Sequence, residues 1–261
     1  MLVNRTKIPL MIGNGSKKND FEVLPQTSSY FWSDKDKKLF VSTDEYGWSQ
    51  AFSNDTIGIA GVLTLKKTSD SESYIPAIKE YNSDEIEIGV SISPLNDQYY
   101  KTIAIIFAPR YVIMNSTSIP LLIGDSSSNS KIEHLIAPNS EKIYNFETKE
   151  DKNFIKIRPD IEYEAGSKIP WSAKFSLDNI DDFLISMKVS PEESKLELED
   201  ENLNKWYLPS KTNQYTRYVR VIITTRDNAT LFVILSDPSH PDVMINNMSD
   251  EQIEFKQKDG K

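Results

Sequence analysis

Apolar and polar residues alternate with a period of two through much of this chain. Ile86, Ile88, Val90 and Ile92 are separated by Glu87, Gly89 and Ser91. Val219, Val221 and Ile223 alternate around Arg220, and Leu231, Val233 and Leu235 interleave with Phe232 and Ile234. Successive side chains of an extended strand point to opposite faces, so this pattern predicts half-buried strands. Short β-branched runs at 103–107, 111–114 and 154–157 predict more of them. Gly13-Asn14-Gly15, Asp125-Ser126 and Asp237-Pro238 supply turn chemistry between strands. No long amphipathic helix stands out. Segment 181–188 reads as strand or helix, and 74–82 as a single helical turn at most. The expected fold class is all-β, built from many short antiparallel strands.

The pattern repeats. Residues 3–13 read V-N-R-T-K-I-P-L-M-I-G and residues 114–124 read M-N-S-T-S-I-P-L-L-I-G. A weaker third copy begins at Asn247. In all three a Thr or Ser follows the Asn by two positions: Thr6, Thr117 and Ser249. A second block, Trp48-Ser49-Gln50-Ala51-Phe52-Ser53, matches Trp171-Ser172-Ala173-Lys174-Phe175-Ser176. A third aligns Asp36-Lys37-Lys38-Leu39-Phe40 with Asp151-Lys152-Asn153-Phe154-Ile155. Each copy has roughly the ~100 residues of a β-sandwich, whose two sheets close one core. The expected organisation is a first sandwich over 1–109, a second over 110–242, and the start of a third over 243–261. A lone strand-turn-strand cannot bury itself, so the chain reads as part of a longer tandem array.

Composition narrows the chemistry. Among 261 residues, 30 are basic and 39 acidic, and a net charge of −9 disfavours nucleic acid and anionic membrane surfaces as direct partners. Cysteine is absent and only two histidines occur, which removes thiol nucleophiles, disulfides and the common thiolate or multi-His metal sets. Aromatics at 10% argue against disorder. The longest apolar run, Ile103 to Pro109, falls far short of the ~20 residues of a membrane span. The N-terminus carries no signal-peptide pattern. Six Asn-x-Ser/Thr sequons occur, but in a chain so rich in Asn, Ser and Thr they read as chance matches. The expected location is intracellular and reducing.

Each repeated residue has a structural and a functional reading. The Asn of Asn-x-Thr either bonds backbone groups at a turn with its short amide or shapes a ligand groove. Trp48 and Trp171 read as core anchors. Asp55 and Asp178 read as caps on the following turn, and the acidic stretch Glu192–Glu201 as a solvated insertion. Gly124-Asp125-Ser126 resembles the nucleophile block of some lipid esterases, yet Gly13-Asn14-Gly15-Ser16 takes its place in the first copy, which favours a hairpin turn. Asp34-Lys35-Asp36-Lys37 opens like a calcium loop but lacks its glycine, and Lys38 stands in for a ligand. His134 and His240 lie in different copies. No catalytic residue, metal ligand or cofactor is expected.

Phe107-Ala108-Pro109-Arg110-Tyr111-Val112-Ile113-Met114-Asn115 resembles the "APRY…N" segment of the vacuolar protein sorting thirteen (chorein) family. The Trp-Ser-x-x-Phe-Ser blocks are similar to that family's as well, and so is the stretch from Arg226 through Ser236-Asp237-Pro238 to Asn247. The resemblance implies the late β-sandwich repeats of the family's adaptor-binding (SHORT-ROOT-binding) domain. It further implies a non-catalytic module that docks organelle adaptor proteins through short Pro-x-Pro peptides. The full-length proteins are bridge-like lipid transfer proteins, and phospholipid is handled by their other parts. Membrane contact would be indirect, through adaptors, and location cytoplasmic and peripheral at organelle contact sites. Carried onto this sequence, the hallmark or peptide-binding positions are Asn4, Asn115 and Asn247, the last in the final repeat where the adaptor site mainly lies. Met248 departs from the polar residue that follows Asn in the other copies. A purely structural β-sandwich spacer and a carbohydrate- or lipid-binding β-module are the alternatives.

Overall fold

The fold is described from a computed structural model, over residues 1–14, 17–32, 38–58, 60–68, 84–95, 102–126, 133–146, 153–160, 169–189, 208–209, 215–226 and 229–238. Every regular element among them is a strand. The first group comprises β1 (Leu2–Asn4), β2 (Leu10–Asn14), β3 (Lys17–Val23), β4 (Thr27–Ser29), β5 (Lys38–Ser42), β6 (Phe52–Ser53), β7 (Ala60–Lys66), β8 (Glu85–Pro94) and β9 (Ile103–Pro109). The second comprises β10 (Tyr111–Ser116), β11 (Leu121–Asp125), β12 (His134–Ile136), β13 (Ser140–Tyr144), β14 (Phe154–Pro159), β15 (Phe175–Ser176), β16 (Asp181–Val189), β17 (Leu208–Pro209), β18 (Tyr215–Arg226) and β19 (Thr230–Ser236).

Each group forms two sheets in the same order. In the first they run β4-β1-β9-β8-β7 and β3-β2-β5-β6. In the second they run β13-β10-β19-β18-β16, with β17 added beside β18, and β12-β11-β14-β15. Pairing is antiparallel except where the opening strand of each group lies parallel to its closing strand: β1 with β9 and β10 with β19. The alternating stripes account for the cores. Leu2, Leu10, Ile12, Leu39, Val41, Leu65, Ile86 and Phe107 fill one cluster. Ile113, Leu121, Ile123, Ile155, Ile157, Val219, Val221, Val233 and Leu235 fill the other. The chain is thus all-β, with antiparallel-dominated sandwich repeats, and the ambiguous segment 181–188 is a strand because Ile185 and Met187 face inward with Phe183 packed beside them. Segment 74–82 lies outside the described residues.

The strand registers give the correspondence between copies and correct one block of it. Gly13 lies opposite Phe40, whereas Gly124 lies opposite Lys156. Leu39 therefore matches Ile155, not Phe154. A shift of one residue turns a strand's faces over, and the sequence alignment would have put Phe154, 37% exposed, into the core. Turns match too. Gln26 and Asn139, each following a Pro, both have positive φ (55° and 53°), as the third position of a type II turn demands.

Candidate functional site

The Asn-x-Thr segments are built identically in both copies. Asn4 donates from Nδ2 to Ile8 O (2.8 Å) and Val23 O (2.9 Å), and its Oδ1 accepts from Thr6 N (2.9 Å) and Thr6 Oγ1 (2.6 Å). Asn115 donates to Ile119 O (2.8 Å) and Ile136 O (3.0 Å), and accepts from Thr117 N (3.0 Å) and Thr117 Oγ1 (2.7 Å). Each Thr hydroxyl also lies near the Ile carbonyl, at 3.0 Å and 3.1 Å. The amide thus pins the loop after the opening strand to the strand or turn some 20 residues on. Asn4 is 0% exposed and Asn115 1%. Both amide protons and both oxygen lone pairs are used internally, which leaves these side chains no free polar group for a ligand. Neither Asn can carry a glycan while so placed. Asn247 lies outside the described residues.

The Trp-Ser blocks repeat bond for bond as well. Ser49 Oγ accepts from Val41 N (3.1 Å) while Ser49 N donates to Val41 O (2.7 Å). Ser172 does the same with Ile157, at 3.1 Å and 2.9 Å. The tryptophans differ from the sequence expectation. They are half-buried and sit over the glycine of β2 or β11 on the face away from the core. A Cβ on Gly13 would fall 2.9 Å from the Trp48 ring, and one on Gly124 3.1 Å from the Trp171 ring. An indole covers each glycine gap in the sheet. Trp171 is also stacked by Lys156 and Arg158, 5.1 Å and 4.6 Å from its ring. Gly13 and Gly124, at the same place in the two Asn-x-Thr blocks, were the signal available for this pair.

Asp178 does not act as a simple turn cap. It accepts from Tyr111 Oη (2.7 Å) and faces Arg110 Nη2 (3.5 Å). Burial, reinforced by Asp178, pushes the Tyr111 phenol well above its ordinary range. Asp55, its counterpart, accepts from the Ser53 hydroxyl. Asp125, the middle of the Gly-Asp-Ser block, is 4% exposed and accepts from Tyr144, whose ring meets His134 edge-on at 5.3 Å. Asp34–Lys37, Glu192–Glu201 and His240 lie outside the described residues. Among the described residues, no three His, Cys, Asp or Glu side chains are grouped so as to hold a metal ion.

Between the two sandwiches a single residue, Arg110, separates β9 from β10. Its carbonyl accepts from Leu231 N (2.8 Å) and its guanidinium reaches Ala229 O (3.3 Å) and lies over Tyr111 (5.3 Å). Gly89 abuts the same turn, since a Cβ there would fall 2.5 Å from Ala229 O. Ile143 of β13 packs against the core cluster of the first sandwich. The Pro-Arg-Tyr link is thus the seam between two closely apposed units.

Tandem β-sandwiches with internally saturated loop staples and a one-residue link define a modular β-repeat domain. The description Vacuolar-sorting associated protein 13, adaptor binding domain, matches the chain over residues 1–261. The chain belongs to that family and is an adaptor-binding module of a protein of this kind. No helix among the described residues is long and apolar enough to cross a membrane.

Proposed function

We propose that this module docks organelle adaptors through short extended peptides of the Pro-x-Pro type, and so positions a bridge-like lipid transfer protein at membrane contact sites. The observation that carries the reading is the match to the adaptor binding domain across residues 1–261. The fold supports it, because each sheet ends in strands to which an extended peptide can add its own backbone. Proline suits that role by lowering the cost of ordering the peptide. The organisation that goes with this reading is one repeat over 1–109, a second over 110–242 and the opening of another over 243–261. The hallmark asparagines Asn4 and Asn115 serve as staples that give each repeat its shape, and Asn247 is the hallmark position of the next. Binding is then the work of surfaces that the staples hold in place. The module acts at the cytoplasmic face of organelles, and its membrane contact is indirect.

The test is a fluorescence-anisotropy titration of a Gly/Ser-flanked Pro-x-Pro peptide into the chain, beside an Ala-x-Ala control. Saturable binding lost in the control is the expected result. A chain that binds neither peptide nor an intact adaptor is a spacer.

A further inference from the structure

One sheet face of the second sandwich is covered in part by the first. Val112 of β10, Ile143 of β13 and Phe232 of β19 line a cleft of about 230 Å³ against Ala108 and Pro109, at the closing end of β9. Ile143 also reaches the core cluster of the first sandwich, and Val112 and Thr230 are buried. The strand registers locate the same face on the first sandwich. Leu2 lies beside Ile105 and Ser29 as Ile113 lies beside Val233 and Lys142. Met1, Tyr30 and Ala104 are therefore the counterparts of Val112, Ile143 and Phe232.

That face is open. Tyr30 is 76% exposed and Trp32 90%, while Phe31 between them turns inward onto Phe21 and the core. On the same face Met1, Ser28 and Ala104 line a hollow of about 570 Å³. Ser28 and Ala104 stand where the second sandwich has Glu141 and Phe232, so smaller side chains widen it. Tyr and Trp are enriched at protein interfaces, and stacked repeats gain stability from their neighbours. The pair already in the structure identifies the occupant. The face of one sandwich receives the closing end of another, with Gly89 admitting the backbone of Ala229. A second copy of this chain fits poorly, because its outer closing end carries Arg220 in the place of Gly89.

We propose that the face formed by Met1, Tyr30 and Ala104 packs on the closing end of a further sandwich of this kind, joined ahead of Met1 as the first is joined ahead of Tyr111 and carrying a small residue at the Gly89 position. Adaptor binding does not enter this stack, and its failure leaves that reading standing. The chain has no cysteine, so Tyr30→Cys gives a single thiol for maleimide labelling, with Thr56→Cys, also at an exposed position, as the control. Each is measured in the chain and in a tandem form with residues 1–111 duplicated ahead of Met1, the cysteine being in the internal copy only. Arg110 and Tyr111 then stand at the join as they stand before Val112. Labelling of Tyr30→Cys should slow by about tenfold or more in the tandem, because the thiol must wait for the stack to open. Thr56→Cys should label alike in both forms. Equal labelling of Tyr30→Cys in both forms overturns the stack. So does a duplicated unit that stays unfolded by circular dichroism, since the face has then failed to cover its closing end. A dimer of the unextended chain that Tyr30→Glu dissolves overturns it in favour of a second copy.

Discussion

The two sandwiches share a skeleton and differ in what fills one corner of it. In the first, Phe21 meets Phe31 edge-on at 5.5 Å. At the register position of Phe21 the second has His134, whose ring meets Tyr144, with the buried carboxylate of Asp125 bonded to Tyr144. An apolar aromatic pair has become a titratable cluster without any change of strand order. The Asn-x-Thr staples, by contrast, are the same in both down to tenths of an ångström. The comparison separates what the architecture requires from what each unit is free to vary.

The staples give the strongest test of that division. Asn115→Ala would strand the Ile136 carbonyl and the Thr117 amide in a buried setting, at ~1–3 kcal/mol for each such group. We expect a loss of about 3 kcal/mol, which for a unit of this size lowers its melting temperature on the order of 10 °C. Asn4→Ala should cost the same within about 0.5 kcal/mol, since its bonds are equivalent. Scanning calorimetry of both variants checks this, each lowering the transition of its own sandwich. A harmless change in either copy would break the equivalence.

The seam is the next most sensitive place. In β8, Gly89 has its Cβ position 2.5 Å from Ala229 O, a backbone atom that cannot turn aside. Gly89→Ala should therefore cost ~1–3 kcal/mol through overpacking. The loss should appear as faster hydrogen exchange at Leu231 N–H, whose bond to Arg110 O lies beside Ala229 in the second sandwich. Unchanged exchange there would mean that crowding at Gly89 does not reach the Ala229 turn.

Much of this was legible in the chain, for physical reasons that also mark where legibility stopped. Ile86–Ile92 and Val219–Ile223 announced their strands because every second residue of each is an apolar side chain of the core, even where Gly89 and Ser91 are covered on the other face. The Asn-x-Thr and Trp-Ser segments announced the repeat because each makes several local bonds that no other residues supply. The match of Phe154 to Leu39 failed because two consecutive apolar residues, Phe154 and Ile155, leave the phase of a period-two pattern open. Trp48 and Trp171 looked like core residues by size alone, whereas their task is to cover a glycine from outside. Tyr111 and Asp178 are 67 residues apart in sequence, and no local cap rule reports such a contact. The cleft belongs to neither repeat by itself, so no inspection of one copy could display it.

The corner where the copies diverge predicts a difference in pH response. Burial, aided by Lys142 and opposed by Asp125, holds the His134 imidazole below its ordinary pKa. The unfolded histidine takes its proton near pH ~6.5, whereas the folded one resists until the pH is lower. Below the unfolded value the unfolded state binds more protons, so stability falls as pH drops through that window and levels off beneath the folded pKa. The second sandwich should thus lose melting temperature on mild acidification through this group, while Phe21 adds nothing to the first. His134→Phe should flatten the response between neutrality and the folded pKa. An undiminished slope in that variant would move the titration elsewhere.

The smallest effect is expected at a position where the copies could hardly look more different. The register that places Gly89 in the first sandwich places Arg220 in the second. Arg220 makes two bonds to Asp182, at 2.8 Å and 2.6 Å, and they hold the Asp182 carboxyl below its ordinary pKa. Geometry of that quality looks decisive, yet the side chains are 40% and 46% exposed. Water solvates both charges about as well as they solvate each other, and such pairs contribute ~0–1 kcal/mol. Arg220→Ala should shift the second transition by no more than about 2 °C, less still in 0.5 M salt, where exposed charges are screened within a few ångströms. The glycine, which forms no bond through a side chain, should prove the more costly of the two to replace. A larger loss at Arg220 than at Gly89 would mean that the strand position, and not contact with the neighbouring sandwich, sets the cost.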